Sequence, residues 1–89
     1  MAYLLVQHHV EDYARWRKVF DEHDAMRRAH GAEEYQIFRD QDDPNHITML
    51  FQWDSPEHAR QFAESDDLRE AMQHAGVTGR PVASFLEEI

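Results

Sequence analysis

His23 and Arg27, one helical turn apart, offer the most direct chemistry in this chain. A neutral imidazole sheltered from water can remove a phenolic or enolic proton. A guanidinium four residues later on the same helix face can hold the oxyanion left behind. The structural alternative is a histidine ring that fills core volume and bonds a backbone carbonyl, with Arg27 paired to a carboxylate at the rim. His8 and His9 are the second place where ring nitrogens gather. Adjacent strand residues point to opposite faces, so these two do not chelate one ion together, and no H-x-x-x-H spacing marks a metal site. Either His8 or His9 is left as the one that meets a ligand from the sheet side.

These groups need a scaffold, and the chain reads strand, helix, strand, strand, helix, strand. Counting from Tyr13 at about 100° per residue, Phe20, Arg27, Trp16, His23, His30, Val19 and Met26 fall within an arc of about 140°. Arg15, Lys18, Asp21, Glu22 and Arg28 occupy the opposite side, where they stay hydrated. The helix is predicted over 12–30, with Asp12 as its cap and Gly31 as its left-handed stop. Trp16 and Phe20 then flank His23 on the apolar arc, at a spacing more often found in a core than in a substrate platform.

Residues 3–10 carry apolar groups on both faces, as a central strand does. Residues 34–40 and 47–53 form a hairpin through Asp42-Asp43-Pro44-Asn45, and the second strand sets Ile47, Met49, Phe51 and Trp53 on one fully apolar face. Ser55 and Pro56 start a second helical region, and Ser65 offers a second cap that would divide it. Gly79, Arg80 and Pro81 read as a connector before a last strand over 82–88. This order folds as a four-stranded antiparallel sheet with the helices on one face, a ferredoxin-like α+β domain spanning 1–89. The other sheet face is left bare, so two sheets are expected to pack together in a homodimer.

Composition narrows the function further. Eighteen acidic against nine basic residues give a formal charge of −9, without a basic run, which argues against nucleic acid or an anionic membrane as partner. The absence of cysteine excludes thiolate chemistry, disulfides and Cys-type zinc sites. The N-terminal run lacks a basic leader and no apolar stretch reaches spanning length, so a cytoplasmic location is expected. The doubled acidic residues, such as Asp42-Asp43 and Asp66-Asp67, lie at element boundaries and serve capping and solubility.

The runs His8-x-Val10-x-Asp12-Tyr13-x-x-Trp16, Phe20-Asp21-Glu22-His23 and Phe38-Arg39-x-x-Asp42-Asp43-Pro44-Asn45 are similar to one family of small proteins. With Phe51-x-Trp53-Asp54-Ser55 and Ala63-x-Ser65-x-x-Leu68-Arg69-Glu70-Ala71-Met72, the chain resembles the antibiotic biosynthesis monooxygenase-like group of the dimeric α+β barrel superfamily. The resemblance implies two sheets packed as a dimeric barrel and a ligand pocket between sheet and helices, with Trp53 as an aromatic lining residue. It implies an aromatic or polyketide-like ligand and cofactor-free oxygenation or cyclisation. The haem-degrading branch carries an Asn on the first strand and a His on the last helix, where this chain has Gln7 and, near the second position, Met72. The expected site is thus His23 and Arg27 as catalytic groups, with His8, His9, Trp16, Phe20, Trp53 and Met72 around the ligand and no cofactor. A non-catalytic ligand-binding or stress-responsive domain is the rival, and haem or metal binding a third reading.

Overall fold

Alternation along the strands decides which half of this protein is covered. The computed structural model describes residues 2–89. In chain order they form β1 (Ala2–Val10), α1 (Tyr13–Glu22), α2 (Asp24–Ala29), β2 (Ala32–Arg39), β3 (His46–Trp53), α3 (Pro56–Ala63), α4 (Asp66–His74) and β4 (Val77–Glu87). The sheet order is β2-β3-β1-β4, with antiparallel pairing throughout. On β3, Ile47, Met49, Phe51 and Trp53 are buried while their alternates are half-exposed. On β1, Leu4, His8 and Val10 are buried on the same side. The helices cover this face, and the core forms there with Trp16, Val19, Phe20, Ala59, Phe62 and Ala75.

Three local expectations are corrected. The single helix over 12–30 breaks at His23, whose φ of −97° and ψ of 12° leave the helical range. At the break the backbone N–H of His23 is shared between the carbonyls of Val19 and Phe20 at 3.1 and 3.3 Å, and its ring Nδ1 donates to the Val19 carbonyl at 2.8 Å, a side-chain bond that accompanies the departure from helical geometry. Asp12 stands at the N-cap position without a side-chain bond; Asn45 Oδ1 instead accepts from the Tyr13 N–H at 3.2 Å, so the β2–β3 turn caps α1. Gly79, Arg80 and Pro81 lie inside β4, which starts at Val77, and the pairing with β1 shifts between Gln7 and His9. The glycine at 79, with φ of 71°, absorbs the irregularity.

The second helical region divides at Ser65. Its hydroxyl accepts from the Leu68 N–H at 3.1 Å and donates to the Phe62 carbonyl at 2.8 Å, so one side chain ends α3 and starts α4. Gly31 follows α2 with φ of 111°, a conformation that side chains resist, and an added Cβ would stand 2.5 Å from Asp54 Oδ1.

Among the described residues nothing covers the far face of the sheet. Leu5 and Leu50 are paired at its centre, and Phe38, Val82 and Leu86 are 52, 57 and 44% exposed.

Candidate functional site

Helices α1, α2 and α4 close over the β1–β3 half of the sheet and leave a cavity of about 70 Å³. Its floor is Val6, His8, Met49 and Phe51 from the strands; its walls include Trp16, Phe20, His23, Met26 and Arg27, with Phe62, Leu68 and Met72 on the third side. Every methionine after Met1 therefore lines it. Such thioether walls reshape at low cost, which matters because sites for drug-sized ligands usually enclose about 300 Å³ or more. The cavity accommodates no more than a compact ring without side-chain movement. A wider outer groove shares His23, Met26 and Ala71 with the cavity and is rimmed by Asp67, Glu70 and His74. These shared residues mark the way in.

The helix break prepares the two predicted catalytic groups. Because Val19's carbonyl accepts from His23 Nδ1, the neutral ring carries its hydrogen there and presents Nε2 as the basic nitrogen. The Phe20 carbonyl, which at the break accepts from the His23 N–H, also accepts from Arg27 Nη1 at 2.8 Å. Arg27 is 5% exposed and its guanidinium lies 3.7 Å from the Phe20 ring centroid. Asp24 approaches Nη2 only to 3.6 Å, and Nη2 has no hydrogen-bond partner. Burial pulls the Arg27 pKa down while Asp24 opposes the shift. A buried cation with an unused donor thus faces an apolar cavity.

His8 is the histidine that turns inward. It is 5% exposed, lies edge-on to Trp16 at 5.8 Å between centroids, and its Nδ1 is buried without a partner. Burial pushes its pKa down to about 4, opposed by its own backbone, which the ring approaches without making a hydrogen bond from Nδ1, and assisted by the nearby His46 and His9. The ring is neutral at physiological pH. His9 lies on the opposite sheet face, bonded to Asp43 at 2.9 Å and stacked on His46 at 4.6 Å.

The structure thus brings His8, Trp16, Phe20, His23, Arg27 and Met72 to one cavity and places His9 and Trp53 away from it. Trp53 is 1% exposed and packs on Phe62 at 5.0 Å, toward the other end of the sheet. Among the described residues no group of three or more metal-ligating side chains converges. Met26 and Met49 are lining residues outside the predicted set; Met26 was visible on the helical arc and Met49 on the apolar strand face.

The antibiotic biosynthesis monooxygenase family matches residues 3–74. This chain belongs to that family. Antibiotic biosynthesis monooxygenase structures share its fold: one is 15% identical with a TM-score of 0.75 and covers 100% of this chain and 99% of its own. A presumed member from Bordetella bronchiseptica is 15% identical, with a TM-score of 0.81 and coverage of 99 and 96%. SnoaB, a cofactor-independent oxygenase from Streptomyces nogalater, is 14% identical, with a TM-score of 0.79 and coverage of 99 and 92%. No curated protein matches at a significant level. At these identities the structural likeness carries the fold, so what this family member does rests on its own side chains.

Proposed function

We propose that this protein is a homodimer that binds a small hydroxylated aromatic compound between sheet and helices and oxygenates it without a cofactor. The observation that carries the reading is the conjunction of His23 and Arg27 on one apolar cavity, the first with a free basic nitrogen and the second with an unused buried donor. Family membership and the oxygenase name of one structural neighbour support it.

His23 Nε2 takes a proton from an activated CH2 or its enol, and Arg27 holds the resulting oxyanion. The carbanion form donates one electron to dioxygen, and the substrate radical and superoxide combine into a carbon–peroxide bond. His23 returns its proton to the terminal peroxide oxygen. Cleavage of the O–O bond with loss of the remaining C–H proton yields a ketone and water, so CH2 and O2 become C=O and H2O. The substrate supplies the electrons, which is why no flavin or metal enters the balance. The site's dry walls, including Trp16 and Phe20, keep water from the reactive anion.

Oxygen uptake with a panel of single-ring and polycyclic phenols and anthrone-like ketones tests this reading. A turning-over substrate is expected to lose about a hundredfold in kcat in His23→Ala, and its product is expected to carry one oxygen atom from labelled dioxygen. Unchanged turnover in His23→Ala would refute the assigned base. The small cavity favours one rival, a non-catalytic ligand-binding domain, and saturable binding with no uptake across the panel would establish it.

A further inference from the structure

His8 and Arg27 line the same apolar cavity, and each carries a buried polar atom, Nδ1 and Nη2, with no hydrogen-bond partner among the described residues. These atoms belong to side chains that are each 5% exposed. A buried polar group left unsatisfied is costly, so two of them around one small space call for a ligand that completes them.

Their positions say more than their number. His8 lies edge-on to Trp16, Trp16 stacks on Phe20 at 5.0 Å, and Arg27 covers Phe20. The two polar groups therefore flank opposite ends of a Trp16–Phe20 wall. The strand registers agree: His8 pairs with Ile47, whereas Arg27 lies 5.7 Å from the ring of Tyr35, which pairs with Phe51. Ile47 and Phe51 are separated by roughly 13 Å along β3 at about 3.3 Å per residue. In a cavity of about 70 Å³, that order along the wall leaves place for one aromatic ring between the two groups.

The two ends differ in character. Arg27 is a cation whose nearest acid, Asp24, is 41% exposed and stands at 3.6 Å. The His8 end offers a neutral ring nitrogen. We infer that the cavity takes a single-ring aromatic monoanion with a hydroxyl at the far end, the anionic oxygen on Arg27 Nη2 and the hydroxyl on His8 Nδ1. This inference rests on the proposed ligand site and adds to the part of Arg27, which meets a charge that the ligand already carries as well as the oxyanion that deprotonation creates. Met26, Met49 and Met72 make room around the ring.

Calorimetric titration under nitrogen with 4-hydroxybenzoate, its neutral counterpart 4-hydroxybenzamide, and benzoate tests the inference without any variant. 4-Hydroxybenzoate is expected to bind tightest, with a loss of about tenfold for the amide and severalfold for benzoate. In His8→Phe the hydroxyl preference should vanish while the acid preference persists; in Arg27→Gln the reverse should hold. Arg27→Gln also loses the bond to the Phe20 carbonyl, so if it is too unstable the three-ligand comparison on the unaltered protein decides. Equal affinity for acid and amide, equal affinity with and without the hydroxyl, or no binding of any of the three overturns the inference. Selective binding without oxygen uptake would support it while defeating the oxygenase reading. Turnover of neutral phenols with no acid preference would do the opposite.

Discussion

Burial sets the protonation state of His8, and that state couples folding to pH. Its folded pKa of about 4 lies below the ordinary histidine value of 6.5, so between those limits the unfolded chain binds the extra proton and the folded one does not. Stability from this site is therefore complete above about pH 6.5 and falls as pH drops toward 4, by roughly 3 kcal/mol in all. In urea titrations at pH 7.5 and pH 4.5, His8→Phe is expected to show a smaller acid loss than the unaltered protein. An identical loss in both would mean that His8 charges freely in the fold. The inward turn of His8 is not legible in the residues, because alternation shows only that His8 and His9 diverge; the choice needs knowledge of the covered face. Trp53 shares the apolar face with Met49 and Phe51 and so reads like a pocket wall. Ala59 and Phe62 fill the space above that end of the sheet, which leaves the cavity beside Val6 and His8.

At the scale of elements, the cavity depends on how α4 is held. This nine-residue helix buries no residue completely, yet it brings Leu68, Ala71 and Met72 to the cavity. Its ties are few: the Ser65 cap, Arg15 Nη2 donating to the His74 carbonyl at 2.8 Å, and His30 facing Asp67 at 3.6 Å. Ser65→Ala removes both the α4 cap and the bond to Phe62, at a cost of about 1 kcal/mol. Hydrogen exchange should show the amides of α4 opening faster in this variant while those of β1 and β3 keep their order of protection. Equal slowing or speeding across the sheet would show that α4 does not open on its own. Element types and order follow from periodicity and caps, and the division at Ser65 is visible as a second cap inside a helical stripe. The break at His23 is not, since a 100° repeat continues through it unchanged; only the ring's bond to the Val19 carbonyl reveals it.

For the whole molecule, the uncovered sheet face is where the proposed second copy would pack. Leu5 and Leu50 sit at its centre, with Phe38, Val82 and Leu86 exposed around them, an apolar surface that a two-layer monomer would leave in water. A two-fold pairing of this face with a second copy buries it, and small domains gain the most from such burial. The charge distribution adds a condition. Glu34, Glu87 and Glu88 line a depression on this side together with Tyr3 and Leu50, and the chain carries a formal charge of −9. Two such surfaces repel while their apolar centres attract, so salt should strengthen association by screening. Light scattering at micromolar concentration is expected to give the mass of two chains, with dissociation greater at about 0.02 M than at about 0.5 M salt. Leu50→Glu places a carboxylate opposite Leu5 in the apolar centre and should give a folded monomer with an unchanged far-ultraviolet circular dichroism spectrum. The cavity lies on the other side of the sheet, so that monomer should retain ligand affinity within about threefold, less than 1 kcal/mol. A larger loss would show that pairing shapes the cavity through Met49 and Phe51, the two strand residues that separate the faces at this point.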